Sequence, residues 1–145
     1  MGKDDYYRVN SNVVELCSDD FDKDNKVIHP SFNNKFGLVK AYAPWCGFCK
    51  RFKDDMNFLA NNLKEQGYTV AALNCADYKE LSQKLEVPHY PYLFNVSPDG
   101  KLEAMDLEGG RNVDNVLKNI CQFTNKNNSG NAKCCKKVNN KIECN

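Results

Sequence analysis

Residues 36–63 hold the arrangement that most limits what this chain can become. Phe36-Gly37-Leu38-Val39-Lys40-Ala41-Tyr42 is apolar enough for a buried strand, and after Pro44-Trp45-Cys46 the pattern changes. Cys49, Phe52, Met56, Leu59 and Leu63 then recur at spacings of three and four. The switch predicts a strand running into a single helix of about five turns, with one apolar stripe and Lys, Asp and Asn on the other faces. Cys46 falls at the junction and Cys49 one turn inside. The stripe ends near Gln66-Gly67, where glycine can supply the left-handed residue that follows a helix.

The flanking segments extend the pattern. Val13-Val14-Glu15-Leu16 and residues 68–74 read as strands, residues 24–35 as a loop with a short extended piece, and residues 78–85 as a short helix with Leu81 and Leu85 on one side. Val87-Pro88-His89-Tyr90-Pro91 stops any helix. Residues 92–96 and 101–107 flank Ser97-Pro98-Asp99-Gly100, a turn sequence that joins antiparallel strands. Asn112 then caps a final helix with Val113, Val116, Leu117, Ile120 and Cys121 inward. The sum is an α/β fold, a mixed central sheet flanked by helices.

A chain of 145 residues suits one domain. The expected division is an N-terminal extension (1–8), a folded domain (9–124) and a flexible, Cys-containing C-terminal tail (125–145). Residues 125–131 are polar and turn-forming, and beyond them Val138 and Ile142 are too few to build a core. A net charge of +1 gives no field that would recruit nucleic acid or an anionic membrane. Neither an apolar leader nor a retention signal is visible, and no apolar run is long enough for a membrane span, which suggests a soluble, intracellular protein. Eight cysteines against two histidines pull toward an oxidising compartment instead.

Cys46-Gly47-Phe48-Cys49 carries the chemistry. Thiol-disulfide exchange needs an attacking thiolate and a second thiol close enough to release the substrate from the mixed disulfide. At a helix N-terminus, unpaired N–H groups and the positive end of the macrodipole favour a thiolate at Cys46, while Cys49 is shielded and attacks intramolecularly. Gly47 leaves room for a partner's backbone and Trp45 forms an apolar lip. No cofactor or metal is required. The alternatives are half of a zinc site, for which a second pair of suitable spacing is missing, or a structural cysteine pair. Cys75 and Cys121 read as small buried hydrophobes; Cys17, Cys134, Cys135 and Cys144 pair with one another, pair across the linker, or stay free.

The segment from Leu38 to Lys50 closely resembles the active-site segment of thioredoxins and, more so, of protein disulfide isomerase catalytic domains. Val13-Val14-Glu15-Leu16 with Phe21, Tyr90-Pro91, and Glu108-Gly109-Gly110-Arg111 agree in order, so the likeness covers residues 9–124. It implies a thioredoxin fold, a cis Tyr90-Pro91 peptide facing the cysteines, and a shallow groove at Tyr90, Pro91 and Gly109 where a substrate strand pairs. It also implies protein partners bearing disulfides or dithiols, and an unidentified electron donor or acceptor. A redox-inert peptide-binding or chaperone module on the same fold, and a metal-binding structural protein, are the competing functions. Three departures stand out. Lys40 replaces the buried acid of most relatives and either tunes the thiols or snorkels outward. Phe48 replaces the usual Pro or His, and Asp54 replaces a kinking Pro, so a straight helix is expected.

Overall fold

The computed structural model describes residue 7 and residues 11–107, 109–127 and 133–144. The apolar runs form β1 (Val14–Leu16), β2 (Gly37–Tyr42), β3 (Thr69–Asn74), β4 (Tyr92–Val96) and β5 (Leu102–Ala104), joined in one sheet in the spatial order β1-β3-β2-β4-β5. β1 and β2 run parallel to β3, whereas β4 is antiparallel to β2 and β5 to β4. The mixed sheet expected from the sequence is present. β2 is central and buried along its whole length, which is why it reads as an apolar run broken only by Lys40.

Side chains alternate across the sheet. Val39, Ala41, Ala71, Leu73, Phe94 and Val96 face one core with Leu81 of α3 (Lys79–Lys84), Phe21, Val27 and Phe32. Leu38, Tyr42, Val70, Ala72 and Leu93 face the other, against α2 (Lys53–Leu63) and α4 (Val113–Asn127). The Ser97-Asp99 turn closes on Gly100, whose φ of 90° and packing against Val27 leave no space for a side chain: a Cβ there would stand 2.4 Å from the Val27 carbonyl. Asn112 caps α4 through a 2.8 Å bond from the Asn115 N–H to its side-chain oxygen.

Three expectations are corrected. The stretch after Cys46 is two helices, α1 (Gly47–Arg51) and α2, interrupted at Phe52. The Lys40 ammonium donates to the Cys49 carbonyl at 3.0 Å, the acceptor that the Lys53 N–H would use in a continuous helix, so a side chain from β2 enters the ladder there. The supposed N-terminal extension contributes Tyr7, 2% exposed and edge-on to Tyr42 with ring centroids 5.6 Å apart. The supposed flexible tail is, over residues 133–144, a hairpin of β6 (Cys135–Val138) and β7 (Lys141–Cys144) docked on α2 and α4.

Two disulfides hold that hairpin. Cys121 of α4 bonds to Cys134 across the linker, and Cys135 to Cys144 across the two strands. Cys121 is thus half of a cross-link and not a plain buried hydrophobe. Neighbouring residues of an extended chain point to opposite sides, which lets Cys134 and Cys135 reach different partners. Ile142 completes the docking by entering the core that α2 and α4 share. Cys75 is a buried free thiol, as its strand-end position suggests, and Cys17 is a half-buried free thiol that donates weakly to Asp20.

Candidate active site

Cys46 is positioned by the turn that ends β2. Its N–H donates to the Ala43 carbonyl at 3.0 Å, its carbonyl accepts from the Lys50 N–H at 3.1 Å, and its sulfur accepts from the Cys49 N–H at 3.1 Å. The side chain therefore serves as the N-cap of α1, with a backbone donor aimed at the sulfur. Cys46 is 8% exposed and Cys49 is fully buried beneath it; both are free thiols. Burial, reinforced by the Cys46 sulfur, pushes the Cys49 thiol up to about 12.

Lys40 lies in the apolar core beneath the two cysteines. Side-chain alternation along β2 puts it on the same side as Leu38 and Tyr42, and it is fully buried, so it does not snorkel. Its ammonium donates to the Tyr7 hydroxyl and the Cys49 carbonyl and sits 5.1, 5.4 and 5.8 Å from the ring centres of Tyr7, Tyr42 and Phe52. Desolvation pulls it down to about 8, against the attraction of the Cys49 and Cys46 sulfurs and of Glu15. A buried cation thus adjoins the resolving position, and it titrates within reach of physiological pH.

Around the sulfur the surface is aromatic. Trp45 and Phe48 are 69% and 58% exposed, and Trp45 meets Tyr90 edge to face at 6.0 Å. The Tyr90-Pro91 peptide is cis, with Pro91 buried and Tyr90 half-buried. Beside it opens a groove of about 330 Å³ lined by His89, Pro91, Tyr92, Leu93, Met105, Asp106, Leu107 and Arg111. Gly109 is exposed beside Asn115 of α4 and is not among the groove's lining residues; Glu108 lies outside the described residues.

The sequence model of the thioredoxin family matches residues 12–122. The chain belongs to the thioredoxin family. Within it, protein disulfide isomerase-like 2-2 of Oryza sativa subsp. japonica is 38% identical over 111 residues, which cover 76% of this chain and 28% of that protein. Protein disulfide-isomerase 1 of Dictyostelium discoideum is 38% identical over 113 residues, 75% of this chain and 29% of the relative. The chain thus spans less than a third of the length of these relatives. Among solved structures, the first thioredoxin domain of mouse protein disulfide-isomerase A4 matches with a TM-score of 0.61 at 25% identity, over 86% of this chain and 84% of that domain. The thioredoxin fold and its likeness to disulfide isomerase domains are therefore established for this chain.

Two features of this thioredoxin domain escaped the sequence reading. Arg51 and Arg111 both lie over the Phe48 ring, their guanidinium carbons 4.4 and 5.6 Å from its centre. The three-residue spacing from Phe48 to Arg51 on one helix was the available signal; Arg111 comes from the loop before α4, more than 60 positions along the chain. Tyr7 as a partner of Lys40 had no local signal at all. Among the described residues no helix is long and apolar enough to cross a membrane, and no cluster of three or more His, Cys, Asp or Glu could hold a metal ion.

Proposed function

We propose that this domain is a thiol-disulfide oxidoreductase working on protein substrates through Cys46 and Cys49. The observation that carries the reading is the asymmetry of the pair: Cys46 reaches the surface with the Cys49 N–H donated to its sulfur at 3.1 Å, while Cys49 is inaccessible from outside. In the reducing direction the Cys46 thiolate attacks one sulfur of a substrate disulfide. A Cys46–substrate bond forms and the other substrate sulfur leaves as a thiolate, which takes up a proton. Cys49 gives up its proton and attacks the Cys46 sulfur, forming the Cys46–Cys49 disulfide and expelling the second substrate thiolate. Two electrons pass from the domain to the substrate, and the two protons lost by its thiols balance those gained by the products. Oxidation of a substrate dithiol is the same sequence reversed.

In this reading Trp45, Gly47 and Phe48 form the rim against which a partner docks. Tyr90 and Pro91 flank the groove that receives its extended chain, with Gly109 at the margin. Lys40 tunes the pair: charged, it favours thiolate and so the dithiol form; neutral, it is a base close to the proton that Cys49 must lose. The partners are proteins carrying disulfides or dithiols, and a separate donor or acceptor resets the pair. The two hairpin disulfides favour an oxidising compartment as the place of work. Reduction of insulin by the wild type beside Cys46→Ser tests the reading. Turnover should be lost in the variant, and equal rates would overturn it.

A further inference from the structure

We propose that Arg51 and Arg111, gathered over Phe48, form a cationic landing site beside Cys46 that selects protein disulfides whose cysteine is flanked by acidic side chains. The inference rests on the exchange reading above and names the substrate class of the same site.

Phe48 has more than half of its surface in solvent and stands two residues beyond the attacking sulfur. An aromatic ring so placed ordinarily offers only apolar contact. Here one guanidinium from α1 and another from the loop before α4 converge on it, at 4.4 and 5.6 Å. The Arg51 group also passes along Gly47, its Nη1 3.7 Å from where a Cβ of that residue would be. The charge therefore lies against the chain neighbour of Cys46. A guanidinium resting on a ring keeps its edge donors available for bidentate pairing with a carboxylate. Among the described residues neither guanidinium is hydrogen-bonded or ion-paired, although both are exposed.

The surrounding charges agree with this assignment. Lys50 adds an exposed cation on α1. Asp106 is the carboxylate among the groove's lining residues, and Arg111 lines the same groove. Across the sulfur, Trp45 and Tyr90 supply an apolar flank. A substrate strand in the groove with its cysteine at Cys46 thus has aromatic surface on one side and guanidinium donors on the other. That chemistry fits Asp or Glu within a residue or two of the reacting cysteine.

Three short peptides test this, each with one cysteine in a mixed disulfide with a chromophoric thiol and flanked by Asp, by Ser or by Lys. Release of the chromophore by the reduced domain gives a rate constant for each. The wild type should favour the acidic over the basic peptide roughly two- to thirtyfold, on the scale of one or two solvent-exposed ion pairs. The preference should shrink toward unity near 1 M salt, where screening acts over about 3 Å. In the Arg51→Glu, Arg111→Glu variant the preference should invert; because the ratio is taken within one protein, changes in thiol reactivity or folded fraction cancel. Equal wild-type rates on all three peptides would overturn the landing site and leave the exchange reading intact, whereas no reaction with any peptide would sink the exchange reading itself. Retained acidic preference in the variant, or rapid reaction with oxidised glutathione alongside indifference to the peptides, would also overturn the landing site.

Discussion

Replacing Lys40 with Met should reshape the pH dependence of stability. Met keeps the unbranched bulk of the stem in a site flanked by Tyr7, Tyr42 and Phe52 and removes the charge. In the folded protein desolvation lowers the lysine from 10.5 to about 8, which at about 1.4 kcal/mol per unit is a cost of about 3 kcal/mol while the unfolded lysine is fully protonated. The cost is fully present below about pH 8, where both states hold the proton. It fades as pH rises toward 10.5, because over that interval the unfolded chain holds a proton that the folded one has released. From about pH 7.5 to about pH 9.5 the wild type should therefore gain about 2 kcal/mol from this group.

Cys49 pulls the other way above pH 9. With its thiol held up to about 12, the unfolded chain ionises first and stability falls. Glu15, Lys53 and Cys46 also act on Lys40. Subtracting the curve of Lys40→Met from that of the wild type, from urea unfolding under one reducing condition, leaves the lysine contribution to first order. At neutral pH the difference should be small, since relief from desolvation is offset by losing the lysine's hydrogen bonds to the Tyr7 hydroxyl and the Cys49 carbonyl, at about 0.5–1.5 kcal/mol for each. Its slope is the signal. Parallel curves across the whole range would refute the claim that a desolvated ammonium lies beneath the cysteines.

Two further outcomes follow. Iodoacetamide at about pH 8 should label Cys46 and spare Cys49, which is buried and retains its proton up to about 12; mass spectrometry showing equal labelling would contradict the assigned asymmetry. The Cys121→Ser, Cys134→Ser variant should lose about 3 kcal/mol in urea unfolding, the loop-closure contribution of a cross-link spanning 13 residues; an unchanged midpoint would mean that the hairpin docks without it.

Most of the sheet was legible because its strands are buried. Gly37–Tyr42 and Thr69–Asn74 are covered on both faces and read as apolar runs, while Ser97-Pro98-Asp99-Gly100 encodes its turn through backbone preference alone. The break at Phe52 was not legible, since it depends on where a side chain from β2 ends in space. Nor was the place of Tyr7, whose burial is a contact across 33 positions of the chain. The C-terminal hairpin has too little apolar surface to announce itself, and covalent cross-links stand in for the missing core. At the site the cysteines were marked by spacing and by the strand-to-helix junction. The guanidiniums over Phe48 converge from α1 and from the loop before α4, so spacing marked only Arg51.

The central claim is that Cys46 attacks and Cys49 resolves. Its most direct test is to incubate Cys49→Ser with a disulfide-bridged protein substrate and map the covalent adduct by mass spectrometry. The mechanism predicts a persistent mixed disulfide on Cys46, absent from the wild type at steady state and from Cys46→Ser. No adduct, or an adduct formed chiefly at Cys17 or at a hairpin cysteine, would contradict it.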